Sequence, residues 1–166
     1  MFDSIKVSKE GETLKIEVTS HRPLEGTKKA EINMPDLRAI NFSGATKGTI
    51  KGFSSSDDFS VVLSGASSLK GDLKAGNVNF GISGASTVKL NGSAQNIIVD
   101  ASGASHIGLS DFSVRNADVT LSGASDGTVN LDGRLDADLS GASDLKYVGK
   151  PTMGDINLSG SSKLSD

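Results

Sequence analysis

The sequence predicts an all-β solenoid, a single-stranded β-helix of about six to seven coils. Three observations carry that prediction. A Ser-Gly-Ala-Ser word recurs at intervals of about 18 to 21 residues. Apolar residues alternate with polar ones on both sides of it. The 166-residue chain has only 4% aromatics and no Trp, but 20 glycines. A sandwich core would call for larger wedges, whereas each coil of a solenoid buries only a thin aliphatic slab. The alternation also argues against the disorder that a Gly/Ser-rich chain would otherwise suggest.

Residues 1–38 come first and read as an atypical β turn or hairpin within a single 1–166 domain. Ile5, Val7, Leu14, Ile16 and Val18 alternate around Gly11. The segment His21-Arg22-Pro23-Leu24-Glu25-Gly26 reads as a loop, and Ala30–Met34 as a strand that Pro35 ends. The opening Met1-Phe2-Asp3-Ser4-Ile5-Lys6 is too polar for a signal peptide, and no apolar run is long enough to span a bilayer.

The repeats fill residues 39–166. Copies of the word begin at Ser43, Ser64, Ser83, Ser102, Ser122, Ser140 and Ser159. One position before each stand Phe42, Leu63, Ile82, Ala101, Leu121, Leu139 and Leu158. Three before stand Ile40, Val61, Phe80, Val99, Val119, Ala137 and Ile156, with mostly polar residues between. Period two of this kind is a strand with one buried face. A second apolar column follows the word at Leu69, Val88, Ile107 and Leu145, and continues at Ile50, Leu90, Leu109, Val129 and Tyr147. Each repeat is therefore a strand, a tight corner, a strand and a variable return.

Gly44, Gly65, Gly84, Gly103, Gly123, Gly141 and Gly160 occupy the corners as structural turn residues, because a sharp turn calls for positive φ. The following Ala is expected to stack closely, so that Ala104→Leu would overpack the corner. The Ser hydroxyls are expected to bond turn backbone. The irregular returns favour a right-handed helix or a flattened two-sheet superhelix over a left-handed one. A leucine-rich repeat shares the period, but the Asn ladder of its consensus is missing.

These Ser-Gly-Ala-Ser corners, entered through Met34-Pro35-Asp36-Leu37, resemble the bacterial autotransporter-adhesin head GIN domain family over most of the chain. The resemblance implies a pectin-lyase-like β-helix of the cell surface, periplasm or secreted space, with an adhesive role and no catalytic residues to carry over. A homotrimer is the oligomer it makes worth testing. The chain stops soon after Ser162 without a polar cap, and more protein or another subunit is expected to cover an open end.

Composition narrows the functional classes. A net charge of −3 provides no basic field for nucleic acid. The absence of cysteine excludes disulfides, thiolate metal sites and a Cys nucleophile. No cofactor is expected. Stacked in register, Asp118, Asp136 and Asp155 would form a carboxylate ladder, with Asp100 and Asp138 beside it. Neighbours at about 4.8 Å repel by on the order of 1 kcal/mol in water. Calcium would offset that, but a solvated acidic face is the preferred reading. Lys70, Lys89 and Lys146 give the other sheet the opposite sign, which suits self-association or an acidic glycan. His106, Asp126 and Asp144 follow successive corners, yet no nucleophile is singled out and exposure gives little cause for shifted pKa values.

The reading is therefore a non-enzymatic surface or periplasmic module that binds glycan or protein. The alternatives are a carbohydrate-active β-helix enzyme using the acidic face, and a structural spacer or self-assembling stalk.

Overall fold

The computed structural model describes residues 5–19 and 26–166. The expected loop at His21–Glu25 lies outside them. The chain divides into two compact units, Met1–Met34 and Pro35–Asp166.

In the first unit, β1 (Ile5–Glu10) pairs antiparallel with β2 (Thr13–Val18) across a turn at Gly11, where φ is +60°. The hairpin is as predicted. The strand expected at Ala30–Met34 does not form. Alternation specifies a strand only where a partner edge completes its hydrogen bonds, and Ile32 stays 46% exposed.

The second unit is a β-solenoid of two parallel sheets and about seven turns. The first sheet contains β3 (Ala39–Phe42), β5 (Phe59–Leu63), β7 (Asn77–Ile82), β9 (Asn96–Ala101), β11 (Asn116–Leu121), β13 (Arg134–Leu139) and β15 (Thr152–Leu158). The second contains β4 (Lys47–Ser54), β6 (Ser68–Lys74), β8 (Thr87–Ser93), β10 (His106–Val114), β12 (Asp126–Leu131), β14 (Asp144–Gly149) and β16 (Lys163–Ser165). Each coil supplies one strand to each sheet, and each strand pairs with its counterpart one coil away. The predicted columns therefore become rows on the molecule.

The inward rows are the core. Leu63, Ala101, Leu121 and Leu139 are fully buried in the first sheet, and Leu69, Val88, Leu90, Ile107 and Leu109 in the second. The first coil is closed by an aromatic side chain, since the Phe42 ring fills the space beside Gly48 where a side chain would otherwise stand. In the last coil the counterpart of Phe42, Leu158, is 49% exposed.

The seven corners pile along one edge. Their glycines have φ between +70° and +82°. A Cβ on Gly65, Gly103 or Gly141 would lie 2.5 Å from the carbonyl oxygen of the preceding corner glycine. The strand ladder runs on through the turn, with the Ala66 N–H donating to Gly44 O at 2.7 Å and the Ala104 N–H to Gly84 O at 2.8 Å. The last serine of each word turns inward and is buried at Ser67, Ser86, Ser105, Ser125 and Ser143. Ser105 Oγ donates to Ser102 O at 2.8 Å, and Ser143 Oγ to Ser140 O at 2.8 Å. These bonds satisfy polar groups that the turn would otherwise leave unpaired.

One corner expectation is corrected. Ala104 and its equivalents are exposed, so the crowding falls on the glycine and not on the alanine. A left-handed residue inverts the alternation of faces, which turns the alanine outward and the last serine inward.

Candidate binding faces

The outward rows of the first sheet combine small, polar and acidic side chains. Asp118 lies opposite Ile98 on one side and Asp136 on the other. In the adjacent row Thr120 stands between Asp100 and Asp138, and Asn157 follows Asp138. The expected ladder thus places Asp118 next to Asp136. Asp155 departs from strict register, because the β13–β15 pairing is irregular between Leu135 and Ala137. Its backbone N–H donates to Asp136 Oδ1 at 2.7 Å.

The countercharge on this face is Arg134, which the sequence reading passed over. Its Nε and Nη2 form a fork on Asp136, with Nε–Oδ2 at 2.8 Å and Nη2–Oδ1 at 2.6 Å. Nη2 also reaches Asp155 Oδ2 at 3.3 Å. Arg134 and Asp136 are two residues apart on one strand and so share a face. Among the described residues, no group of three or more His, Asp or Glu is placed to hold a metal ion. The group that lies against Asp136 and Asp155 is the Arg134 guanidinium.

The Arg134 hydrogen bond, followed by the Asp155 N–H, holds the Asp136 carboxyl below its ordinary value of 3.8. A lowered folded-state pKa adds stability above the ordinary carboxylate range, and that stability is lost as pH falls through the lowered value. Replacing Arg134 with Gln should move the Asp136 titration upward toward 3.8. A carboxyl-carbon NMR titration of both proteins checks this, and an unchanged midpoint would show that the fork has no effect in solution.

The second sheet separates residues that the sequence reading grouped. Lys70 and Lys89 are adjacent, but Gly108 and Thr128 stand between Lys89 and Lys146. The three lysines do not form one stripe. His106, Asp126 and Asp144 do fall in a row, which continues to Lys163. His106 Nδ1 pairs with Asp126 Oδ2, and both side chains are more than half exposed. The pair lies open to water, without the desolvation that activates a catalytic nucleophile.

A side-chain ladder was also missed. At the entrance to the first-sheet strands, Asn77 Nδ2 donates to Asp58 Oδ1 at 2.7 Å, Asn96 Nδ2 to Asn77 Oδ1 at 2.7 Å, and Asn116 Nδ2 to Asn96 Oδ1 at 2.8 Å. The Arg134 backbone N–H completes it on Asn116 Oδ1 at 2.9 Å. All these residues stand six positions before the first Ser of their words, so the signal was present in the alignment. Such an asparagine ladder is not confined to leucine-rich repeats. Asn96→Ala removes both a donor and an acceptor from mid-ladder and should cost about 1–2 kcal/mol in denaturant unfolding. A loss below about 0.3 kcal/mol would mean that water replaces the ladder without penalty.

Beside the first returns, Asp36, Asp57, Asp58, Phe53, Phe59 and Lys74 help to line a small recess. Arg38 reaches Asp36 and Asp57, each at 3.5 Å, so this acidic cluster also carries its own countercharge.

Comparison with known proteins gives a consistent picture. The family model "Putative auto-transporter adhesin, head GIN domain" matches residues 1–151. A crystal structure of a putative adhesin from Bacteroides fragilis superposes with a TM-score of 0.88 at 23% identity, covering 98% of this chain and 76% of that one. A putative lipid binding protein from Parabacteroides distasonis superposes with a TM-score of 0.68 at 18% identity, covering 99% of this chain and 79% of that one. At these identities the two structures attest the fold. No curated protein matches the sequence.

Proposed function

The chain belongs to the auto-transporter adhesin head GIN domain family, and from that premise we propose a non-enzymatic binding module of the bacterial surface or periplasm. It engages glycan or protein through the flat outer faces of the solenoid. The observation that carries this reading is the continuity of the outward rows. Asp118 and Asp136 adjoin in one row, and Asp100, Thr120, Asp138 and Asn157 succeed one another in the next. A flat face built from regularly spaced polar groups suits an extended ligand that makes many weak contacts at once.

The chemistry of the acidic face also favours binding over glycoside cleavage. Glycoside hydrolysis commonly needs one carboxyl kept protonated near neutral pH. Asp136 is driven the other way, held ionised by the Arg134 fork.

The test is a glycan array, together with immobilised extracellular-matrix proteins and anionic and zwitterionic vesicles, probed with the purified chain. The expected result is saturable binding to a glycan or protein that Asp118→Lys with Asp138→Lys abolishes. Binding to vesicles alone would favour a lipid ligand instead. Release of shortened saccharides, or no binding to any surface, would overturn the proposal. Protease shaving of intact cells that make the full gene product tests the location.

A further inference from the structure

The charges on the two sheets are divided along the solenoid axis as well as between its faces. On the second sheet the first three coils expose Lys47, Lys51, Lys70, Lys74 and Lys89, with Asp72 the one carboxylate among those strands. Asp72 accepts a hydrogen bond from Asn91, and none of the five ammonium groups has an ion pair among the described residues. On the first sheet, the last four coils present Asp100, Asp118, Asp138 and Asp155 around the Arg134–Asp136 pair. The basic patch therefore lies near one end of one face, and the acidic patch near the other end of the opposite face.

The lysine patch has no countercharge paired to it among the described residues, and the acidic patch is neutralised only in part, by Arg134 on Asp136 and Asp155. Lys70 and Lys89 occupy adjacent strands at the same register. Asp118 and Asp136 do likewise. Like charges stacked at the strand spacing repel, and a complementary surface of the same spacing relieves both rows together. The solenoid carries such a surface on its own opposite side, ruled at the same interval of about 4.8 Å.

We propose that a second copy of this chain docks its acidic first-sheet face on the lysine-bearing second-sheet face. The contact is heterologous, since the two patches are different surfaces. Because the patches sit on opposite faces, the contact does not turn the chain toward a closed trimer. It repeats as an open stack. Because they sit in opposite halves, successive copies are staggered along the axis by roughly 15–20 Å, three to four strand spacings. A second copy docked here covers the acidic face that the proposed ligand would also use, so the two compete for it, and sedimentation is run on the chain alone to read the assembly by itself.

The test is sedimentation velocity on the intact chain over a concentration series, at about 0.02 M and about 0.5 M NaCl, where screening differs strongly. The expected result is association at low salt that weakens by at least about tenfold at high salt. Lys70→Glu with Lys89→Glu cancels the net positive charge of the lysine patch and leaves the acidic face intact, and Asp118→Lys with Asp138→Lys cancels the net negative charge of the acidic patch and leaves the lysine face intact. Each should be monomeric alone, and an equimolar mixture should associate. Circular dichroism of each variant verifies that it is folded, and the mixture supplies a readout that simple destabilisation cannot produce. A wild-type chain that stays monomeric at low salt would overturn the proposal, as would association indifferent to salt or to the reversals. So would a mixture that fails to associate, or a monomer whose lysine face binds only an acidic polysaccharide such as heparin.

Discussion

Gly103→Ala should lower unfolding stability by about 3 kcal/mol or more, whereas the same change at Gly44 should cost only about 1–2 kcal/mol. Both residues are left-handed, with φ of +82° and +73°, so both variants incur the strain of an L-residue there. They differ in what lies beneath. The Cβ of Ala at 103 would meet Gly84 O at 2.5 Å, and that carbonyl is fixed by the Ala104 N–H at 2.8 Å. At Gly44, in the first corner, a Cβ meets nothing within 4 Å. Relief at Gly103 would have to break the ladder through the corner. Ala104→Leu, one residue on and exposed, should change stability by no more than about 0.5 kcal/mol. Urea unfolding of the three variants checks the set. Equal losses at Gly44 and Gly103 would show that backbone strain alone governs the corner and that the corners do not stack tightly.

Phe112→Ala should cost about 3–5 kcal/mol, the range for removing a buried aromatic. Phe112 is fully buried and heads the large side chains of the core. It lies within an irregular stretch of β10, where the pairing with β12 jumps from Leu109 to Ser113. On the other side it stands opposite Gly92, which brings no side chain of its own. The extra residues in this strand thus carry the ring into the core beside a position with no volume. Ladder bonds fix both sheets around it, so the cavity has little means of closing, and the cost should fall toward the upper part of the range. Guanidinium unfolding of wild type and variant measures it. A loss under about 1 kcal/mol would mean that the ring does not fill the core as placed.

Phe112 also marks where the sequence stops being legible. The inward columns at Leu63, Leu121, Leu69 and Val88 could be read from spacing alone, because a fixed period and a fixed alternation leave one register. Phe112 falls outside those columns, in a return of variable length, and only the pairing with Gly92 shows which way it points. The binding faces follow the same division. The row from His106 through Asp126 to Asp144 was legible, and so in principle were the interruption at Gly108 and Thr128 and the column of Asp58, Asn77, Asn96 and Asn116. Both are written in the spacing of the repeats. The contact of the Asp155 N–H with Asp136 was not legible, since it depends on an irregular pairing that no periodic pattern encodes.

By itself the sequence determined the repeating unit, the corner glycines, the apolar rows and the family. Each follows from interactions that recur once per coil, so seven copies of a weak signal add to a strong one. Tertiary structure alone decided the rest. It left Ala30–Met34 without a ladder, turned the corner alanines outward and the last serines inward, and brought Asp155 of the next coil onto the Arg134–Asp136 pair. These outcomes turn on a partner strand, a left-handed residue or a neighbour one coil away, and no such influence shows in the local alternation of apolar and polar residues.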